Sequence, residues 1–255
     1  MKYDLSVIIP SINPDKLCEV HDYMMESIGK YTCEMIYVGP ALPPQVLYEK
    51  SNFKFYLDKG CPARCFQLGT FFADGEYLSF VPDDAHLQKD ALSNCIDLMK
   101  KSSTKDGITM RFSEGIGRTG TQDQDDAYWI AHTHDDLRKL PGVHVGWRTA
   151  NMFMYNTLYF RELGGLDCRF EHVNMNSHDL AFRVQKAGGK IHPSPTKVSA
   201  LDWYPHGPET IMFQTYIQND EPLFRALYSI DDPTRLRIDY NNWINAPSAW
   251  PRRYK

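Results

Sequence analysis

The sequence has no apolar run long enough to cross a membrane, and the N-terminal MKYDLSVIIPSIN holds too short a run for a secretory leader. The expectation is a soluble, cytoplasmic chain. An excess of positive charge is also missing: 28 Lys and Arg stand against 32 Asp and Glu, a formal net of -4. That removes the electrostatic signature of a general nucleic-acid or anionic-membrane binder. Cysteine is sparse. Cys18, Cys33, Cys61, Cys65, Cys95 and Cys168 are scattered, and no second pair joins Cys61 and Cys65 to complete a zinc site. Reduced, mostly buried thiols are expected. Internal repeats and low-complexity segments are absent.

What is present is ordinary globular material, 42% hydrophobic and 24% charged over 255 residues. LSVIIP (5–10), CEMIYVG (33–39), FKFYLD (53–58) and EYLSFV (76–81) are continuous apolar runs of strand length. Between them, 14–28, 63–74 and 87–101 carry apolar residues at helical spacing. A strand-like DGITMRF (106–112) precedes a polar, turn-rich stretch to about residue 145. A strand and helix then read over 151–165, a glycine-capped helix over 178–191, and a strand at KVSAL. Such alternation predicts an α/β fold, with a mostly parallel central sheet and helices on both faces. Ligands of such sheets bind beyond the carboxyl ends of the strands. No linker-like shift in composition divides the chain.

At one of those ends the run EYLSFVPDDAHL breaks into adjacent acids, Asp83 and Asp84. Neighbouring carboxylates repel, so they need a cation, hydrogen-bonding partners or exposure to water. Side chains alternate along an extended strand end, so one acid can meet sugar hydroxyls while the other meets a hard cation. Two other motifs carry less. GIGRTG (115–120) matches the dinucleotide fingerprint by letter, but no amphipathic helix follows it, so it reads as a loop. AHTHDD (131–136) has metal-ligating residue types but no second cluster, and reads as a solvated loop.

Three blocks in order, SVIIPSIN, ARCFQLGTFFADGEYLSFVPDDAHL and FRELGGLDCRF with HDLAFRVQKAGGKI, resemble family 2 glycosyltransferases of the GT-A fold over residues 5–195. The resemblance implies one GT-A domain over 1–255. It comprises a nucleotide-sugar-binding half (1–101), an acceptor and catalytic half (102–205) and a C-terminal tail (206–255). It further implies an inverting, metal-dependent transfer from a nucleotide-diphosphate sugar to an acceptor hydroxyl. Pro10, Ser11 and Asn13 would line the base, Arg64 would face the nucleotide, and Asp83 would meet the ribose or donor sugar. Asp84, with His206 from the later DWYPHGPE, would hold Mn²⁺ or Mg²⁺.

The chain departs from the family pattern at three places. Gly39 and Pro40 stand where an aspartate usually follows the second strand, Pro82 replaces the first acid of D-x-D, and Ser177 takes the usual base position. Asp179, then His178, are the nearest groups able to take the acceptor proton. The acceptor is expected to be a glycan, recognised through the long 113–150 segment. A lipid-linked sugar and a hydroxylated DNA base are the other branches, the latter suggested by the basic WPRRYK end. The rival of a different class is a nucleotide-sugar-binding module without catalysis.

Overall fold

Successive residues of a strand face opposite ways, so a run such as Leu5–Ile9 must be covered on both sides. In the computed structural model, which describes residues 2–116, 139–202 and 210–254, the run divides between two cores. Leu5, Val7 and Ile9 join one with Leu17, Met24, Leu92 and Ile96. Ile8 joins the other with Phe66, Phe160 and Leu180.

The strands are β1 (Tyr3–Pro10), β2 (Cys33–Gly39), β3 (Phe53–Leu57), β4 (Gly75–Phe80), β5 (Ala85–Leu87), β6 (Gly107–Ile116), β7 (Phe153–Asn156) and β8 (Ile191–Asp202). They form one sheet in the order β3-β2-β1-β4-β7-β6-β8-β5. Six strands run one way; only β7 and β5 run against them. Helices α1 (Leu17–Ser27) and α3 (Ala91–Met99) cover one face. The other face carries α2 (Pro62–Thr70), α4 (Thr157–Glu162) and α5 (Val173–Lys186). Beyond β8, α6 (Ile211–Thr215), a π-helical turn (Tyr216–Asp220) and α7 (Glu221–Leu227) precede an extended C-terminal segment. Among the described residues, no helix is long and apolar enough to cross a membrane.

The expected α/β architecture, mostly parallel with helices on both faces, is present. Several boundaries differ. The predicted helix over 87–101 starts only at Ala91, because residues 85–87 pair with β8 as β5. The helix expected over 178–191 runs from Val173 to Lys186, and the residues after its glycines open β8. Eleven of its fourteen residues are buried, polar ones included, which blurs the amphipathic pattern that marks a helix start. Most of 113–150, the whole of AHTHDD and all of GIGRTG after Ile116 lie outside the described residues.

The central pairing also buries a carboxylate. Glu34 on β2 is fully buried. It accepts from Ser6 Oγ at 2.5 Å and from the backbone N of Asp74 at 2.6 Å, and it pairs with Lys54 at 2.8 Å. It thus ties β1, β2, β3 and the entry to β4 at one point. Glu34→Ala should lower unfolding free energy by about 3 kcal/mol in urea titrations, since buried donors lose their acceptor.

Candidate functional site

Strand β1 pairs directly with β4, Ile8 opposite Phe80, although some seventy residues separate them. The pairing brings the turn after Pro10 beside the turn after Phe80. There Ser11 Oγ donates to Asp83 Oδ2, and Asn13 Nδ2 donates to the same oxygen at 3.1 Å. Ser11 Oγ in turn accepts from the backbone N of Asn13 at 2.8 Å. The structure therefore brings Ser11, Asn13 and Asp83 into one cluster. The other oxygen of Asp83 has no partner among the described residues. Pro10 closes β1 opposite Val38.

Gly39 belongs to the same edge and explains one departure from the family pattern. A Cβ there would lie 2.1 Å from the Ser11 carbonyl oxygen and 2.7 Å from the Tyr37 ring. The backbone of the Ser11 turn fills the space that a side chain would need. Asp84 is half-buried and immediately precedes β5, whose Ala85 pairs with Leu201 near the end of β8. His206, Trp203 and Tyr204 lie outside the described residues. Trp147 packs against His144 and Phe182.

Arg64 requires a correction. Its guanidinium pairs with Asp58 at 3.0 Å, donates to the carbonyls of Trp243 at 2.5 Å and Ala246 at 3.0 Å, and stacks over the Trp243 ring. It binds the C-terminal segment to α2, and its 7% exposure leaves little of it to face a nucleotide. The fixed fork of donors on Arg suits it to this clamp.

The expected catalytic pair is corrected too. Asp179 is fully buried. One of its oxygens meets Arg183 at 2.8 Å; the other meets Arg235 at 2.5 Å and the Tyr228 hydroxyl at 3.0 Å. Burial, together with the Asp179 charge, raises the Tyr228 phenol well above its ordinary value, so it stays a donor. A carboxylate held by two guanidiniums and sealed from solvent has no route to an acceptor hydroxyl. His178 is equally enclosed, 1% exposed, with Nδ1 2.9 Å from the Ala150 carbonyl oxygen. Ser177 donates to the Val173 carbonyl at 2.5 Å, within its own helix.

Sequence reasoning missed the extent of this network. Asp167 accepts from Arg169 and Arg235, and Arg183 also donates to the Leu163 and Gly165 carbonyls at 2.9 and 2.5 Å. Gly164 and Gly165 adopt φ of 88° and 69°, a turn that offers those carbonyls to the arginine. Burial opposes ionisation of Asp167, but the hydrogen bonds from Arg169 and the charges of Arg169 and Arg235 prevail and hold it at about 2. The signal available in sequence was the i,i+4 spacing of Asp179 and Arg183. Nearby, Asp220 accepts from the backbone N of Glu171 and of His172, both at 2.9 Å, fixing the turn into α5. Burial lifts its carboxyl to about 6 despite those bonds.

The described residues contain no group of three or more His, Cys, Asp or Glu able to hold a metal by themselves. Hard divalent cations are commonly held by one or two carboxylates together with substrate phosphates. The Asp83–Asp84 turn fits that partial donor set.

No protein-family model matches the chain, and no curated protein matches it significantly. Solved structures do. Residues 1–349 of TarS from S. aureus match with a TM-score of 0.55 at 16% identity, over 81% of this chain and 61% of that one. The same protein solved with UDP gives a TM-score of 0.56. GalNAc-T7, solved with UDP, GalNAc and Mn²⁺, matches with a TM-score of 0.62 at 14% identity, over 95% of this chain and 56% of that one. The chain thus spans about three-fifths of the length of these structures. The likeness shows the fold: a GT-A-type glycosyltransferase fold.

Two outcomes follow from the corrected chemistry. Asp179→Ala should cost about 3–5 kcal/mol of stability by urea unfolding, because it strands two buried guanidiniums. Asp220 has a raised native carboxyl, so its stabilising contribution is present below the unfolded value of 3.8 and is lost as pH rises through about 6. Relative to Asp220→Asn, the wild type should therefore lose about 2 kcal/mol between about pH 4 and about pH 7. Paired chemical denaturation at the two pH values measures it.

Proposed function

We propose that the protein is a metal-dependent glycosyltransferase that moves a sugar from a nucleoside-diphosphate donor to an acceptor hydroxyl. The observation that carries this reading is the Ser11–Asn13–Asp83 cluster at the joined carboxyl ends of β1 and β4. Parallel sheets bind ligands at this edge. Two donors anchor one oxygen of Asp83, and its other oxygen is available to a ribose or sugar hydroxyl. Pro10 and the Ser11–Asn13 turn would bound the base. Because Gly39 is filled by the Ser11 backbone, the base would be recognised there by main-chain groups.

Asp84 would hold a divalent cation together with the donor diphosphate, with His206 as a further ligand. When bound, the cation would offset the charge developing on the leaving nucleotide. The UDP complexes of TarS and GalNAc-T7, and the Mn²⁺ of the latter, support this assignment by likeness of fold. Neither Asp179 nor His178 enters the scheme as a base.

The test is calorimetric titration of UDP and UDP-sugars with and without Mn²⁺, alongside a donor-hydrolysis assay. Asp83→Asn should weaken donor binding by about 10- to 100-fold, the range of a charged hydrogen bond. Asp84→Asn should abolish the Mn²⁺ dependence of that affinity. Unaltered affinity in both variants would sink the assignment. Tight donor binding without release of free sugar or transfer would favour the non-catalytic module.

A further inference from the structure

A second concave site lies away from the Asp83 cluster and shares no residue with it. A cavity of about 710 Å³ opens between the 167–171 turn and the C-terminal segment. That volume falls within the usual range of small-molecule sites, about 300–1,000 Å³. It sits on the same edge of the sheet. Cys61, on its wall, precedes α2, and Glu171 precedes α5, and each of these helices returns to a forward-running strand.

The lining combines apolar surface with planar polar groups. Trp250 and Pro247 supply the first. Trp250 is held rigid, its Nε1 donating to Glu171 Oε2 at 2.7 Å and its backbone N to the Lys59 carbonyl at 2.8 Å. Around it stand Arg169, Asn219, Asp239 and Asn245. Much of their capacity is unspent among the described residues. Arg169 engages Asp167 through Nε and Nη2 only. Asn219 uses its amide nitrogen on the Arg169 carbonyl and Asp220, leaving its oxygen. Asp239 uses one oxygen to cap the following turn at Asn241, and Asn245 makes no side-chain hydrogen bond.

These groups select against an anion. Asp167, Glu171 and Asp239 line the cavity with Arg169, and each guanidinium at its wall is already paired, Arg169 and Arg235 with Asp167 and Arg252 with Glu171. A phosphate would find no unopposed positive charge there. An uncharged ligand with one apolar face and several hydroxyls would satisfy both kinds of wall: an apolar face against exposed Pro247 and the accessible edge of the otherwise buried Trp250, and diols against planar carboxylate, amide and guanidinium edges.

We infer that this cavity is a saccharide-binding pocket that takes an uncharged pyranoside. Its role as the docking place of an acceptor glycan rests on the transferase reading above; the binding itself does not. The pocket and the Asp83 cluster would then be filled independently, one by a neutral sugar and the other by a nucleotide.

The test is saturation-transfer difference NMR on the full chain with the methyl pyranosides of glucose, galactose, mannose and N-acetylglucosamine, with and without excess UDP. At least one pyranoside should give a signal that persists in UDP and disappears in Asn245→Trp, which fills the cavity from an exposed position. In the wild type the same pyranoside should shift the Trp250 indole N–H resonance, assigned by its loss in Trp250→Phe. That measurement decides the matter even if the blocking variant folds poorly. No signal from any of the four, displacement by UDP, or an unmoved Trp250 resonance would overturn the inference. Failure of UDP binding alone would instead strike the transferase reading and leave the pocket standing.

Discussion

On the helix α5 side of the sheet, the buried carboxylate of Asp179 fixes how the chain segments meet. It is the point where Arg183 of its own helix, Arg235 of the C-terminal segment and the Tyr228 hydroxyl converge. Arg183 extends the tie to the Gly164–Gly165 turn, and Arg235 extends it to Asp167. Three pieces of chain, the 163–167 turn, α5 and the 228–235 segment, are thereby held in one register. Such a cluster gives little net stability over a well-packed apolar core, because desolvation offsets much of the attraction. What it supplies is intolerance of alternatives, since any shift leaves a charge unpaired in the interior.

The Asp83 edge depends on a different device, the adjacency of β1 and β4. Pairing them in parallel brings two turns together at the strand ends, and each is short because a proline stops its run: Pro10 in one case, Pro82 in the other. Asp83 then meets Ser11 and Asn13 without any further framework. Close approach of the Ser11 carbonyl to Gly39 completes that edge and explains why an acid cannot stand there. A change that looks like loss of a recognition residue is thus a steric consequence of how the first turn lies.

The strands of the first half were legible because each is a continuous apolar run between turn residues, and their sheet class followed from that continuity. The place of the acid pair just past β4 was legible for the same reason, since the apolar run stops at Pro82. Asp179 was not. A helix-start acid reads as solvent-exposed when the helix is taken to begin beside it, whereas α5 begins six residues earlier and buries it. Arg64 and Arg235 were equally opaque, because their partners lie far away in sequence, in a tail with no periodic pattern of its own. Strand β5 escaped notice because three residues are too few for alternation to show.

The clamp of Arg64 on Trp243 and Ala246 carries a temporal consequence. On a chain growing from its N-terminus, β1 and β4 can pair, and the Asp83 cluster can form, while more than half of the residues are still unmade. The wall contributed by Asn245, Pro247 and Trp250 comes with the last few. Until then Arg64 has only Asp58 to hold, and the groove beside α2 stands open. Ribosome-bound chains halted before residue 240 would hold the Asp83 cluster already shaped and the cavity not yet enclosed.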